Sequence, residues 1–233
     1  MREERPDLTL LTAVPFETAL ARRLGLRRIA PAPVPAYAGY VGNVLVALCQ
    51  TGIRAKRLGD IERSPFLAPE LGLVSLGLAG GLAPGLRGGA AIVPAGVADG
   101  AGRIPVHSFL RAAFAAAGVV VPSDLIAASD RLIATPEDKR ALRDATGADA
   151  VDMESGVIGR WAAAHGIAFA VVRAVSDPAT AVLPPGIAGG PRAGPHRALP
   201  RVLLLAIRAL AARRALARVV RAGCARLAAL PAE

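Results

Sequence analysis

Three charged residues in two short blocks could do chemistry. Glu154 lies in Val151-Asp152-Met153-Glu154-Ser155, where a strand passes into a helix. Arg173 and Asp177 lie in Val172-Arg173-Ala174-Val175-Ser176-Asp177, at the end of a later strand. Two carboxylates and one guanidinium at one edge of a sheet suit a reaction that grips a diol and protonates a leaving group. Ordinary explanations exist beside this one. An acid at a helix start stabilises the N-terminus, and an acid at a strand end is commonly a turn residue. Arg173 resists such a reading, because in the apolar run Phe169–Val175 an unpaired charge costs several kcal/mol. A carboxylate must answer it, and Glu17, Glu154 and Asp177 are the candidates. Strand alternation puts Arg173, Val175 and Asp177 on one side.

The elements that must position these residues alternate along the chain. Leu8–Val14 reads as a strand and Glu17–Leu24 as a helix ended by Gly25. Val44–Cys49 is a strand, and Gly52–Asp60 begins the next helix. Leu73–Leu78, Ala90–Val93 and Leu125–Ala127 are further strands, and His107–Ala117 is helical. Thr135-Pro136-Glu137-Asp138 is a helix start, with Thr135 as cap, Pro136 in the first turn and acids at the positive end. Gly147 ends that helix. Ser155–His165 is a helix and Ile167–Val175 a buried strand. The pattern predicts an α/β fold, a three-layer sandwich with a mostly parallel mixed sheet covered on both faces. Residues 1–233 read as one domain, with a Pro/Gly-rich loop over 178–196 and a basic amphipathic helical segment over 197–230.

Composition narrows the setting. The 233 residues are 53% hydrophobic and only 3% aromatic, so the core is Ala, Leu and Val. Cys49 and Cys224 match no metal or redox spacing and read as reduced core thiols of a cytoplasmic protein. No signal peptide and no membrane span is expected. The net charge of +10 collects in the tail, where arginines recur from Arg192 to Arg226 and Glu233 is the one acid. Interleaved aromatics are missing from that tail, which argues against nucleic acid.

The two opening blocks resemble the purine nucleoside phosphorylase and methylthioadenosine/S-adenosylhomocysteine nucleosidase superfamily. So do Leu76-Gly77-Leu78-Ala79-Gly80-Gly81-Leu82, Pro84-Gly85-Leu86, Gly89-Ala90-Ala91-Ile92-Val93 and Ala13-Val14-Pro15-Phe16-Glu17. The resemblance covers about residues 8–178, with the blocks in order. It implies that Glu154 binds the ribose hydroxyls, Met153 packs on the sugar, Asp177 protonates purine N7 and Glu17 holds an attacking water. Arg173 would organise the carboxylates. Leu132 and Ile133, in Ser129-Asp130-Arg131-Leu132-Ile133, would bracket the base, with Leu132 where relatives often carry phenylalanine. The amides of Gly77–Gly81, including Ala79 and Gly80, would cradle the nucleophile. As general acid, Asp177 would have to hold or share a proton at neutral pH.

The acceptor stays open. Many phosphorylases have a phosphate-binding serine where Leu78 stands and an arginine where Ser75 stands. Their absence, and Glu17, favour water. Arg54, in Thr51-Gly52-Ile53-Arg54, is either a substitute anion ligand or a solvated loop arginine. The tail points the other way. Leu203, Ile207 and Leu210 look like core, whereas Arg214, Arg218 and Arg221 share one face and Leu216, Val219, Val220, Leu227 and Leu230 another. A docked helix with wet arginines explains this, and so does contact with an anionic membrane. A Leu/Arg-rich C-terminus behind this core resembles the hopanoid-associated phosphorylase branch. That implies removal of adenine from adenosylhopane, a lipid-linked purine nucleoside, with inorganic phosphate as co-substrate. It also implies a homo-oligomer at the inner face of the membrane. No metal and no organic cofactor is expected. A hydrolase of methylthioadenosine, S-adenosylhomocysteine or futalosine is the alternative, and a non-catalytic nucleoside-binding or membrane-docked protein the second.

Overall fold

The computed structural model describes residues 5–118, 120–184 and 195–229. In chain order the elements begin with β1 (Leu8–Thr12), α1 (Pro15–Thr18), α2 (Leu20–Leu24), β2 (Arg27–Ile29), β3 (Ala36–Val41), β4 (Val44–Gln50) and β5 (Gly72–Gly81). Then come β6 (Ala91–Ile92), β7 (Gly96–Asp99), β8 (Gly102–Pro105), α3 (Ser108–Ala115), β9 (Val120–Val121) and β10 (Leu125–Ala128). The last are α4 (Pro136–Thr146), β11 (Ala150–Asp152), α5 (Ser155–Ala164), β12 (Phe169–Asp177) and α6 (Pro195–Ala228).

The result is the expected mixed α/β sheet. β1, β4, β5 and β12 run parallel to one another, and so do β7, β10 and β11. Consecutive residues of β1 and β12 are buried, which requires cover on both faces of the strands. α3 and α6 pack on β12, as does α5. Local signals held where they were strongest. Thr135 Oγ1 accepts from Asp138 N at 3.1 Å, and Gly147 closes α4 at φ 69°.

β5 is the strand that makes the site. It pairs with β1 on one side and β12 on the other, and its last residues Gly80 and Gly81 turn to meet β11 in antiparallel fashion. The carboxyl ends of β5 and β12 therefore open beside the start of α5, the usual place for ligands in such sheets.

Three expectations need correction. Gly52–Asp60 is a pair of 3₁₀ turns rather than an α-helix, because Arg54 (φ 57°) and Ala55 (φ 50°) are left-handed and cannot continue one. A hairpin of β2 and β3 occupies residues that carried no strand signal. The two faces of the arginine-rich half are as expected, but the core expected at Ile207 and Leu210 is not built. Ala212, Leu216, Val219, Val220, Cys224 and Leu227 are core, while Ile207 and Leu210 are 55% and 43% exposed. The apolar face of the arginine-rich half is thus used up by packing on α3 and β12. Most of loop 178–196, the side chain of Leu203, and Leu230 lie outside the described residues. None of the described helices is long and apolar enough to cross a membrane.

Candidate active site

Glu17 enters from α1, directly after β1. Its Oε2 accepts from the amides of Ala13 (2.8 Å) and Val14 (3.2 Å), and its Oε1 from Leu78 N at 2.8 Å. Gly77 makes that last contact possible, since a Cβ there would lie 2.4 Å from Oε1. Burial raises the carboxyl's pKa above its ordinary value, against the opposing pull of the amides and of Arg173.

Arg173 stands opposite Gly77 on β12 and is 1% exposed. Its carboxylate partner is Asp152 at the end of β11, not any of the three candidates expected. Nε donates to Asp152 Oδ2 at 2.6 Å, and Nη2 donates to Ser75 Oγ at 2.6 Å and Ser155 Oγ at 3.2 Å. Ser155 also donates its amide and hydroxyl to Asp152. Nε and Nη2 are thus committed behind the site, while Nη1 donates only to Val172 O at 3.4 Å.

Glu154 follows Asp152 by two residues and is left without such a partner. Its Oε1 accepts from Arg54 N at 3.0 Å. Burial, then the nearby Asp152 charge, pushes its pKa up to about 7, with Arg173 opposing. Arg54 meets the site through its backbone. The backbone amide reaches Glu154, and the side chain lines a neighbouring cavity of about 530 Å³ beside Met153.

Asp177 lies across from these groups, 4% exposed. Between Val175 and Asp177 the pairing with β5 shifts by one residue. Asp177 Oδ2 consequently sits over Gly80 and Val175 over Gly81, so the two point to opposite faces and the simple alternation fails. Ser176 Oγ lies 2.5 Å from Asp177 Oδ1. Its Oδ2 accepts from Lys139 Nζ at 2.6 Å. Lys139 also donates to Pro178 O at 2.9 Å, holding the chain that leaves β12. Rather than a lone carboxyl, the structure seats an ammonium on Asp177.

A cavity of about 160 Å³ joins the groups. Asp177, Glu154, Met153, Leu132, Ile133, Ala79 and Gly80 line it together. Glu17 and Arg173 lie behind that wall, and Arg54 beside it. Gly77–Gly81 does not form an amide cradle. It is the end of a strand, and the Leu78 amide is taken by Glu17. Among the described residues no cluster of His, Cys, Asp or Glu could hold a metal.

Sequence reasoning missed Asp152 and Lys139. Asp152 stood inside the quoted block but was overshadowed by Glu154. Lys139 had a readable signal, because it shares a helix face with Leu142 and Arg143 at spacings of three and four, and it is the one buried residue of α4.

A family model described as the phosphorylase superfamily matches residues 7–192. None of the curated proteins matches significantly. The fold is similar to that of a 5′-methylthioadenosine/S-adenosylhomocysteine nucleosidase from Colwellia psychrerythraea in complex with adenine, at TM-score 0.75 and 19% identity over 97% of this chain and 98% of that one. The corresponding enzyme from Neisseria meningitidis, in complex with methylthio-immucillin-A, gives TM-score 0.70 and 22% identity over 92% and 98%. A futalosine hydrolase from Helicobacter pylori gives TM-score 0.70 and 18% identity over 93% and 97%.

Proposed function

The chain belongs to the phosphorylase superfamily, a family of N-glycosidic-bond-cleaving enzymes, and on that premise we propose that it hydrolyses a purine nucleoside of the adenosine type. The observation that carries this is the single cavity shared by Glu154 and Asp177, with Glu17 bonded behind it to Leu78 N.

Breaking the bond leaves an oxocarbenium-like sugar and a purine that departs best when N7 is protonated. Glu154 accepts the ribose hydroxyls, and its negative charge opposes the sugar's developing positive charge. Met153 packs on the sugar, and Leu132 and Ile133 on the base. Asp177, taking a proton from the Lys139 ammonium bonded to its Oδ2, passes it to N7 as the C–N bond breaks, and a neutral amine is left beside the carboxylate. Water rather than phosphate is the acceptor, because the carboxylate of Glu17 holds the amide that an anion would need and repels the anion itself. Glu17 then takes the proton of the attacking water. Arg173 is a positioning residue, holding Asp152 and through it the turn into α5.

The test is adenine release from adenosine and methylthioadenosine with and without phosphate. Free sugar and a rate independent of phosphate are expected. Strict dependence on phosphate, with a sugar 1-phosphate as product, overturns the water reading and restores the phosphorolytic one.

A second reading concerns the 5′ substituent. Met153, which packs on the sugar, also lines a cavity of about 530 Å³ with Arg54, Ala98, Leu142 and Val157. Room with apolar lining on the sugar side favours a nucleoside with a bulky apolar 5′ group, of the adenosylhopane kind. Faster cleavage of a 5′-alkylated adenosine than of adenosine supports it, and equal rates argue against it.

A further inference from the structure

One face of α6 is spent on the core, and the other has no partner. Leu204, Ile207, Leu210, Arg214, Arg218 and Arg221 follow one another at spacings of three or four, which aligns them along one side of the helix. The first three are 46%, 55% and 43% exposed. The three arginines are exposed as well. Together with Arg23 of α2 they line a depression of about 330 Å³ floored by Ala217. Arg221 Nη2 donates to the carbonyl of Arg23, so residues from two distant parts of the chain are pinned into one cluster. No carboxylate lines the depression, and none of the four arginines forms an ion pair among the described residues. From Pro195 to Ala228 the sequence has no acid at all.

Four unopposed guanidiniums repel one another, and an external anion relieves this with charge-assisted hydrogen bonds. The apolar stretch continues the same line for about 10 Å, at 1.5 Å per residue, toward the cavity beside Asp177. A second copy meeting this face about a two-fold axis through the depression would set arginines against arginines. A nucleic acid would leave the leucines and isoleucine wet and find no aromatic on the line. We propose that this face of α6 docks on an anionic lipid surface. Arg23, Arg214, Arg218 and Arg221 lie on lipid phosphates, and Leu204, Ile207 and Leu210 enter the acyl boundary. This is independent of the bond the site cleaves, and it sets the cavity beside Asp177 toward the membrane.

The test is sedimentation of the full chain with vesicles of phosphatidylcholine, alone or mixed with phosphatidylglycerol. Binding to the mixed vesicles, weak binding to phosphatidylcholine and a fall with added salt are expected. Arg214→Gln, Arg218→Gln and Arg221→Gln together should weaken it about 100-fold, and Ile207→Ser with Leu210→Ser should weaken it further. All five positions are exposed, so adenine release from a soluble nucleoside should be unchanged in both variants. Equal sedimentation of wild type and the arginine variant overturns the proposal. So does tight binding of inorganic pyrophosphate without binding to vesicles, which would mean a free-phosphate site. A dimer in solution that the apolar substitutions dissociate would assign the face to a second copy. If nucleoside cleavage is absent while vesicle binding persists, the catalytic reading fails and this one stands.

Discussion

The two ends of the cavity handle charge in opposite ways. At the end proposed for the sugar, Glu17, Asp152 and Glu154 gather around one cation, Arg173, whose Nε and Nη2 donate to Asp152, Ser75 and Ser155. Glu17 and Glu154 are left under-compensated, and burial raises the pKa of both. At the base end one carboxylate meets one ammonium at 2.6 Å, both buried. Excess negative charge suits a place where a sugar becomes cationic. Local neutrality suits a place where a proton is handed over, because the ammonium holds that proton against the carboxylate until the base takes it. The same residue type thus serves two tasks according to what lies behind it.

Asp177→Asn should give the largest effect. Turnover should fall about 10²–10⁴-fold, with binding of adenine retained. Lys139 would then be buried without its partner, and breaking a buried pair from one side costs about 3–5 kcal/mol. Lys139→Met should cost a similar amount, and the double variant should be more stable than either single one while remaining inactive. Denaturant titration of the four proteins measures this. Additive losses would mean that the pair is not a unit.

Glu154 allows a test by pH. Its folded pKa is raised from 4.5 to about 7. The folded state therefore holds the proton more tightly than the unfolded chain, and this contribution is complete below pH 4.5. It is lost as pH rises through about 7, a change of a few kcal/mol at most. Thermal melts of the ligand-free protein should show this loss, and Glu154→Gln should flatten it. Over the same range kcat/KM should rise, because the ionised form opposes the sugar's positive charge. An unchanged melting profile in Glu154→Gln would show that the sugar end is not under-compensated.

Gly77→Ala probes the wall between the two ends. The new Cβ would press on Glu17 Oε1, and overpacking of this kind costs about 1–3 kcal/mol. Turnover should fall with little change in KM, since Glu17 meets water rather than the nucleoside. A changed KM at constant kcat would argue that Glu17 binds substrate.

How much of this was legible depended on how local the cause was. Glu17, Glu154 and Asp177 are legible through the family resemblance of the blocks that hold them, whereas position alone leaves helix-start and turn roles open for Glu154 and Asp177. Thr135 and Gly147 bound α4 by chemistry that acts within one turn. Arg173 was readable as a buried charge needing an acid, but the choice of Asp152 depends on how β11 meets β5, a contact between strands about 70 residues apart. The bulge before Asp177 has no local signature. The two halves of α6 share the same helical period, so the pattern alone does not say which half is buried. A cross-chain fit decides it: Gly223 lies flat on Phe114 of α3, where a Cβ would come 2.2 Å from the ring. Ile207, by contrast, is 55% exposed.

The smallest expected effect concerns Arg54, and it separates backbone from side chain at the sugar end. Its φ of 57° is costly for any residue except glycine, by roughly 1–2 kcal/mol. Such strain persists when surrounding contacts over-determine it, and here the contact is the amide bonded to Glu154. Arg54→Gly keeps the amide and removes the strain, so stability should rise by about 1 kcal/mol. Turnover should stay within a few fold of wild type, because the guanidinium lies in the neighbouring cavity rather than on the nucleoside. If Arg54→Gly abolishes activity and the loss depends on phosphate, the side chain is the anion ligand after all. The sugar end would then have to be redrawn around a bound phosphate.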